Sequence, residues 1–375
     1  MNDVSAASTA TVVPATVGLL ASIDIRGVKL RSRIVLSPMC QYSSFEGLAD
    51  DWHLVHLGSR AVGGAALVFT EATSVAREGR ITPGDLGLWH DAHMEPLRRI
   101  VQVIEQRCAV PGIQLAHAGR KASKQPPWRG SLPLASNEGA WPIVGASPLP
   151  FDDKAQTPIE LSSADIDGLV AAFEAAAQRA VAIGFKVIEV HAAHGYLLHQ
   201  FLSPISNHRR DDYGGSLDNR MRLLLRVVER IRAVTPDRQP LFVRISATDW
   251  IEGEPAWDLD QSVALARQLK AAGVDLIDVS SSGSSPRQKV VLGPGYQVPF
   301  ARRIRADAHI MTGAVGLITE PRQANDVIAR GDADLVFVGR AFLRNPYWGL
   351  IAQEELAGDA PWPEQYGYAV RRAPR

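Results

Sequence analysis

The sequence predicts a (β/α)8 barrel, in which eight parallel strands close into a ring that helices cover. A length of 375 residues suits one such barrel with insertions. Short apolar runs bounded by glycine, proline or polar residues recur along the chain, and helical patterns lie between most of them. A doubly wound open sheet is the alternative, but no Gly-x-Gly-x-x-Gly follows a strand run and no P-loop pattern is present.

The predicted strands follow one another without a break into two composition zones, which favours a closed ring. They are Arg33–Met39, Ala65–Thr70, Gly112–His117, Phe185–Val190, Leu241–Ser246, Leu276–Ser280, Ile310–Thr312 and Leu335–Gly339. The clearest predicted helices are Ala164–Ile183, Leu217–Ala233, Asp260–Ala272, Pro299–Ala306 and Pro321–Arg330. Ser163 and Ser216 stand at predicted N-caps, while Gly184 and Gly273 follow predicted helix ends.

Charge and cysteine content narrow the class of protein. Lysine plus arginine total 40, as do aspartate plus glutamate, so neither a nucleic-acid partner nor a membrane surface is expected. No apolar stretch approaches the length of a membrane span. Cys40 and Cys108 are too few for a disulfide framework or a four-thiolate cluster, which indicates a reducing compartment and hence the cytoplasm.

The chain is expected to contain one domain after a short lead-in. Residues 1–18 lack a basic start and a long apolar core, so they predict a disordered lead-in rather than a signal peptide. Residues 19–375 are expected to form the barrel. The connection from strand three to strand four is long and begins with a segment dense in Pro, Trp and Gly, so residues 121–160 are interpreted as a cap insertion over the catalytic face. A surface insertion without a role is the alternative.

The carboxyl ends of the strands carry the active site in barrels of this kind. This rule brings together Ser37-Pro38-Met39-Cys40-Gln41-Tyr42, Glu71-Ala72-Thr73, Gln114, His117, the hexapeptide His191-Ala192-Ala193-His194-Gly195-Tyr196, Arg244, Thr312-Gly313-Ala314-Val315-Gly316 and Gly339-Arg340-Ala341.

The hexapeptide at 191–196 is the most informative of these segments. Two imidazole N–H groups, from His191 and His194, could hold one oxygen as it gains negative charge, while the Tyr196 phenol supplies a proton nearby. That chemistry suits electron addition to a polarised double bond. Two structural histidines beside a core tyrosine are the plain alternative. A zinc site ranks third, because no carboxylate or thiolate stands close in sequence.

Other strand ends suit a flavin with a single phosphate. Glycine-containing turns at Gly313 and Gly339, with Arg340, could surround the phosphate, although ordinary strand-to-helix turns look the same. Gln114 offers an amide donor and acceptor to the flavin pyrimidine edge, and Arg244 offers a permanent charge. Without a dinucleotide fold, FMN fits better than FAD. No metal is expected.

Two further side chains have both a functional and a structural interpretation. Cys40 would tune the flavin or fill a small buried space, and Tyr42 would bind substrate or pack on the cap. Cys108 is interpreted as a buried filler.

The combined motifs resemble the Old Yellow Enzyme family of FMN-dependent ene-reductases, and within it the thermophilic-like bacterial class of xenobiotic reductases and NADPH dehydrogenases. The similarity runs from about Leu20 to Tyr368. It rests on Ser-Pro-Met-Cys-Gln-Tyr at 37–42, Gln-Leu-x-His-x-Gly-Arg at 114–120, the fourteen residues from His191 to Pro204, Asn-x-Arg-x-Asp-x-Tyr-Gly-Gly-Ser at 207–216, Asn219-Arg220 and Gly339-Arg340.

The resemblance implies a role for each matching position. FMN would contact Ser37, Pro38, Met39, Cys40, Ala72, Gln114, Arg244, Gly313, Gly339 and Arg340. His191 and His194 would hold a carbonyl or nitro oxygen with help from Tyr42, and Tyr196 would protonate the α-carbon. NADPH or NADH would reduce FMN first and leave. A homodimer or homotetramer acting on a small molecule is expected.

The C-terminal tail departs from the family pattern. Tyr368 stands where some members have an arginine that reaches the neighbouring subunit's site, so Trp362 or Tyr368 is hypothesised to shape the pocket instead. Rival functions are another FMN barrel of the dihydroorotate or dihydrouridine type, a metal-dependent lyase, and a barrel that only binds ligands. The neutral charge balance disfavours the RNA-directed enzyme.

Overall fold

A computed structural model describes residues 17–370 and confirms the barrel. Eight parallel strands close into a ring in their chain order. They are β1 (Ile34–Leu36), β2 (Leu67–Ser74), β3 (Val110–Ala116), β4 (Val187–Ala192), β5 (Leu241–Ser246), β6 (Leu276–Ser280), β7 (Met311–Ala314) and β8 (Leu335–Val338). Most of the predicted lead-in at 1–18 lies outside the described residues.

The main helices alternate with these strands and cover the ring. They are α1 (Asp51–Val62), α2 (Met94–Gln106), α3 (Ser163–Ile183), α4 (Leu217–Val234), α5 (Leu259–Ala271), α6 (Val298–Ala308), α7 (Pro321–Ala329) and α8 (Trp348–Ala357). The two predicted helix-end glycines behave as expected: Gly184 caps α3 with φ 113°, and Gly273 follows α5 with φ 91°. No described helix is long and apolar enough to cross a membrane.

Short elements decorate the barrel. Two-stranded pairings join Ile23–Ile25 to Val28–Leu30 and Val144–Gly145 to Ile159–Glu160. Short α-helices cover Leu197–Leu202, Arg340–Arg344 and Gly367–Val370. Single 3-10 turns cover Arg77–Gly79, Asp91–His93, Gly119–Lys121, Pro127–Arg129, Ser136–Glu138 and Glu364–Tyr366.

Three local predictions need correction. Ser162, rather than Ser163, caps α3, because its hydroxyl accepts the Asp165 N–H. β4 runs two residues beyond its predicted end at Val190 and includes the start of the hexapeptide, since His191 and Ala192 still pair with β5. Cys108 is exposed rather than a buried filler, because it follows the end of α2 at φ 56° instead of entering β3.

The barrel interior has an apolar floor near the amino ends of the strands. We define this floor as Phe69, Phe242 and Phe337, which are at most 1% exposed. The ring centroid of Phe69 lies 6.1 Å from that of Phe242 and 6.0 Å from that of Phe337. The hairpin residues Ile25 and Leu30 belong to the same buried cluster. Aromatic burial of this kind is a large contribution to stability.

The segment at 121–160 contacts residues at the carboxyl ends of the strands. Trp128 packs edge-on against Tyr42 at 5.8 Å between ring centroids. Phe151 lies 4.7 Å from the Lys121 ammonium, which itself donates to the loop after β4. Its function as a cap remains a prediction.

Candidate active site

Four polar side chains line the interior above the apolar floor. Neighbouring strands bring them together in register: Gln114 pairs with Glu189, and Arg244 pairs with Asp278. The Gln114 amide donates to Glu189 Oε1 at 2.8 Å. Arg244 donates to Ser37 Oγ at 3.2 Å, and its Nε lies 3.0 Å from Asp278 Oδ2. All four of the paired side chains are at most 5% exposed.

These buried groups are not fully satisfied by the protein. Within the described chain, Glu189 Oε2, Arg244 Nε and both Asp278 oxygens have no hydrogen-bond partner. Burial raises the pKa of Asp278 to about 6, although Arg244 opposes the shift. Burial, followed by the nearby Asp278 charge, raises the pKa of Glu189. Unpaired buried polar groups are rare in proteins and point to a function.

The two histidines of the hexapeptide meet at their ring nitrogens. His191 Nε2 lies 3.3 Å from His194 Nδ1, and the ring planes are 86° apart. The Tyr196 ring packs against His191 at 5.0 Å between centroids. His191 is buried, whereas His194 and Tyr196 are half-buried. The arrangement therefore gathers two imidazoles and a phenol, as the sequence predicted.

The turn that carries His194 is fixed by three side chains and by the close approach of the Gly283 backbone. His194 has φ 58° and Gly195 φ 72°, and a Cβ on Gly195 would lie 2.0 Å from the Gly283 carbonyl oxygen. The His194 N–H donates to Ser246 Oγ, and the Gly195 N–H donates to His199 Nδ1, each at 2.9 Å. The Lys121 ammonium donates to the His194 carbonyl at 2.8 Å.

Both histidines are neutral near pH 7. Burial lowers the pKa of each well below its usual value; the Arg244 charge adds to this for His191, and His191 followed by Arg244 does so for His194. A neutral imidazole has one N–H donor and one acceptor nitrogen. Each ring can therefore donate one hydrogen bond without carrying a charge.

Tyr196, Tyr42 and Cys40 form the other side of the mouth. Burial, then the charges of Cys40 and Asp85, raises the pKa of Tyr196, so its phenol keeps its proton. Burial raises the pKa of the Cys40 thiol, with Asp85 and Glu71 adding to the shift. Tyr42 sits at φ 53° two residues after Cys40, and burial, followed by the Cys40 charge, raises the pKa of its phenol.

A cavity of about 230 Å³ opens beside the ends of β7 and β8. Its lining includes Ser280, Tyr296, Gln297, Gly316, Gly339 and Arg340. Gly316 has φ 117°, and a Cβ there would lie 2.8 Å from Gln297 Nε2. Gly313 instead lies within β7, where a Cβ would meet the Phe337 ring at 2.3 Å. A role for Gly313 at a phosphate remains a prediction.

The residues present fit FMN. The cavity has room for a phosphate beside the Arg340 charge, and Glu189, Arg244 and Asp278 each have buried polar atoms without a hydrogen-bond partner in the described chain. A flavin pyrimidine edge needs such donors and acceptors and a nearby cation. Ser37 and Pro38 are buried, and the Ser37 hydroxyl accepts from Arg244, while Met39 and Cys40 are half-buried. Ala72 pairs with Gln114 across a bulge between β2 and β3.

Comparison with known proteins decides the family. Residues 18–359 match the family model described as NADH:flavin oxidoreductase / NADH oxidase. This chain belongs to that family.

One relative shares much of its sequence with this chain, and two solved structures share its fold. An NADPH dehydrogenase of Geobacillus sp. (strain WCH70) is 46% identical over 351 residues, which cover 93% of this chain and 97% of the relative. Morphinone reductase shares the fold at a TM-score of 0.75 and 24% identity, over 92% of this chain and 91% of that one. A 2-naphthoyl-CoA reductase reaches 0.80 at 24% identity over 91% of this chain but 52% of that longer chain. The protein is therefore an oxidoreductase of the Old Yellow Enzyme family that uses FMN with NAD(P)H as reductant.

Some residues of this flavin oxidoreductase site were not predicted from sequence. Glu189 and Asp278 are charged residues inside otherwise apolar strands, a signal that could have identified them. Ser280, Gln297 and Lys121 carry no comparable signal, since they matter through contacts between distant segments.

The zinc interpretation and the tail hypothesis have no support within this flavin oxidoreductase chain. No three His, Cys, Asp or Glu side chains of residues 17–370 converge as metal ligands.

Trp362 donates to Glu354 Oε1 at 2.8 Å on α8, and Tyr368 is 90% exposed. Tyr366 shares a cavity with Arg31 and Cys108, which precedes β3, so this part of the tail lies at the floor end of the barrel. A contact of the tail with a neighbouring subunit remains a prediction.

Proposed function

We propose that this flavin oxidoreductase is an ene-reductase that reduces α,β-unsaturated carbonyl compounds. The observation that carries the proposal is the 3.3 Å approach of His191 Nε2 and His194 Nδ1, with Tyr196 beside them. Two neutral donors that converge on one point suit an oxygen that gains negative charge during reaction. Nitro compounds and quinones present a similar oxygen and are further candidate substrates.

The two imidazoles would bind the substrate by its oxygen. An oxygen that accepts from both rings polarises the conjugated double bond and makes its β-carbon electron-poor. Because both rings are neutral, they stabilise the developing charge without attracting an anion in the ground state. Tyr42 borders the same space and could add a third donor.

Tyr196 would deliver the proton to the α-carbon. Its phenol remains protonated across the physiological pH range because burial raises its pKa. The Lys121 ammonium lies 5.2 Å from the Tyr196 ring centroid and would stabilise the negative charge that proton transfer leaves on the phenol oxygen. Burial lowers the pKa of Lys121 to about 7, with Lys124 and Arg120 adding to the shift.

Gln114, Arg244 and Ser37 would hold the FMN ring, and Gly316, Gly339 and Arg340 its phosphate. When bound, FMN would supply hydride transfer from NAD(P)H to the β-carbon of the substrate. NAD(P)H and the substrate would both bind at the carboxyl end of β4, beside His191 and His194. We therefore expect them to bind in turn, with ping-pong kinetics. A small-molecule substrate, a homodimer or homotetramer and a cytoplasmic location complete the proposal. Both cysteines, Cys40 and Cys108, are free thiols, as a reducing compartment would leave them.

Anaerobic assay of the purified yellow protein tests the proposal. NADPH should bleach the absorption near ~450 nm, and 2-cyclohexen-1-one should restore it while cyclohexanone forms. Bleaching without reoxidation by enones, nitro compounds or quinones would contradict the proposed ene-reductase. Reoxidation by orotate would favour the dihydroorotate-type alternative. Lyase activity restored by added metal to a colourless protein would favour the metal-dependent lyase.

A further inference from the structure

Ser280 ends β6 with its hydroxyl 2.7 Å from His194 Nε2. We infer that this hydroxyl donates to His194 Nε2 and thereby holds His194 in the tautomer whose proton lies on Nδ1, the nitrogen that faces a bound oxygen. Ser280 is thus a positioning residue that acts through His194. The inference rests on the proposed function and concerns how the same site acquires its second donor.

The proton of His191 is fixed by the backbone. The Ala193 N–H donates to His191 Nδ1 at 3.2 Å, and a backbone N–H can only donate. Because His191 is neutral, its single ring proton must lie on Nε2. This proton points to the space beside His194 Nδ1, which is 3.3 Å away.

His194 then has two proton arrangements. In the first, His194 Nδ1 accepts from His191 and its own proton lies on Nε2, where it donates to Ser280 Oγ. That arrangement uses the His191 proton internally and offers no proton from His194 to a substrate. In the second, the His194 proton lies on Nδ1, and both rings can donate to one oxygen between them. The second arrangement leaves Nε2 needing a donor.

Ser280 can supply that donor because its hydroxyl has no better acceptor among the described residues. The other acceptor near it is Gln297 Oε1, at 3.4 Å. That oxygen already accepts the Ser281 hydroxyl at 2.6 Å, while the Gln297 amide nitrogen donates to the Val315 carbonyl at 3.1 Å. The shorter contact to His194 therefore takes the Ser280 proton when His194 Nε2 is free to accept it.

The two proton arrangements couple the tautomer of His194 to the hydrogen-bond role of Ser280. Binding of an oxygen acceptor should move the His194 proton from Nε2 to Nδ1, and Ser280 should change from acceptor to donor. Burial lowers the pKa of His194 well below its usual value, and the nearby His191, Arg244 on β5 and Lys121 from the segment after β3 add to this shift. The ring therefore stays neutral, so a tautomer change rather than a protonation is the available response.

Substitution of Ser280 should therefore weaken oxygen binding by a defined route. Ser280→Ala leaves His194 Nε2 without a donor in the bound state, so affinity for an oxygen ligand should fall about tenfold. Ser280→Thr keeps a hydroxyl on Cβ and should restore most of the affinity. Ser59→Ala is the matched control, because the Ser59 hydroxyl donates to the His56 carbonyl on α1, outside this site.

Nitrogen NMR of FMN-loaded protein labelled with 15N-histidine tests the inference directly. Pyrrole-type and pyridine-type nitrogens have distinct shifts, and the His194 signals can be assigned by comparison with His194→Gln. Addition of 4-hydroxybenzaldehyde should move the pyrrole-type signal of His194 to Nδ1 in wild type and in Ser59→Ala. In Ser280→Ala the Nδ1-protonated form should be depleted, and calorimetric titration should show the weaker binding.

The outcomes separate this inference from the proposed function. An unchanged His194 tautomer on binding in wild type, or equal tautomers in wild type and Ser280→Ala, would overturn the role of Ser280. So would a loss of FMN affinity in Ser280→Ala that accounts for all of the weaker binding. Failure of the wild type both to bind the phenol and to reduce 2-cyclohexen-1-one would overturn the proposed function, and this inference with it.

Discussion

The two ends of the barrel interior are built on opposite principles. At the floor, Phe69, Phe242 and Phe337 pack ring against ring and are at most 1% exposed. At the mouth, β3, β4, β5 and β6 carry the buried side chains Gln114, Glu189, Arg244 and Asp278, and several of their polar atoms have no hydrogen-bond partner in the described chain. A single strand serves both ends: β5 contributes Phe242 below and Arg244 above.

This difference indicates which end of the barrel interior stabilises the fold and which end destabilises it. Apolar side chains in the floor are stabilised by burial, with no polar group to satisfy. Buried charges at the mouth lose their hydration, and their pairing offsets only part of the free-energy cost of that loss. A ligand that completes their hydrogen bonds would recover the rest, which is the role we assign to FMN and the substrate.

Truncation in the floor should have the largest effect. Phe242→Ala is expected to lower the free energy of unfolding by about 3–5 kcal/mol, because it removes a buried ring and leaves a cavity. Phe45→Ala, at a side chain that is 79% exposed, is the control and should change stability by less than about 0.5 kcal/mol. Both are measured by urea denaturation. A loss below about 1 kcal/mol for Phe242→Ala would contradict the role of the floor.

At the mouth, a conservative change should impair chemistry and leave stability nearly intact. Tyr196→Phe is expected to slow the oxidative half-reaction with 2-cyclohexen-1-one about 100-fold or more, because the proton donor is lost. Flavin reduction by NADPH should be largely unchanged. Stopped-flow absorbance separates the two steps, and Tyr347→Phe, whose hydroxyl meets Tyr366 on the outer surface, serves as control. An unaltered oxidative rate would mean that solvent or another group donates the proton.

The phosphate side of the mouth should show an effect on cofactor affinity. Arg340→Met removes a permanent charge from the cavity beside β8 and should weaken FMN binding by about 1.5–3 kcal/mol. Fluorescence titration of the apoprotein with FMN measures the change. Arg330→Met alters an arginine that pairs with Asp332 outside this cavity and should leave FMN affinity unchanged. Equal FMN affinities of the two variants would show that Arg340 does not bind the phosphate.

The smallest effect concerns pH. Burial raises the pKa of Asp278 from 3.8 to about 6, so the folded protein binds this proton more readily than the unfolded chain does. Its contribution to stability is therefore present below about pH 4 and is lost as pH rises through about 6. The free energy of unfolding should therefore be about 1–2 kcal/mol higher at pH 5 than at pH 7, and Asp278→Asn should remove this difference. Urea denaturation at both pH values checks this, and Asp212→Asn, at an exposed carboxylate, is the control. An equal pH dependence of stability in Asp278→Asn and Asp212→Asn would contradict the prediction.

Sequence patterns predicted the ring of strands better than they predicted the contacts at the mouth. Apolar runs located all eight strands, and β5 and β6 match the predicted bounds residue for residue. β2 runs four residues beyond its predicted end at Thr70, as far as Ser74, because a bulge next to Ala72 carries the pairing with β3 onward. Cap residues at Ser216 and Gly184 were predictable because capping is local.

The mouth depends on contacts that local patterns do not encode. The hexapeptide and Arg244 could be placed by counting strands, since strand ends meet at one face of the barrel. The partners that fix them could not: Ser280 reaches His194 across 86 positions, and Lys121 reaches it across 73. Such long-range pairs are set by the packing of loops on the closed ring, which follows from no periodicity in the chain.

The affinity of His191→Ala for an enone tests the central claim most directly. Anaerobic stopped-flow of the pre-reduced, FMN-loaded protein gives the dissociation constant for 2-cyclohexen-1-one from the concentration dependence of reoxidation. Loss of one of the two oxygen donors should raise this constant about tenfold or more, while the flavin spectrum and melting temperature stay close to wild type. Exposed His208→Ala should match wild type. An unchanged dissociation constant in His191→Ala would show that the two imidazoles do not hold the substrate oxygen.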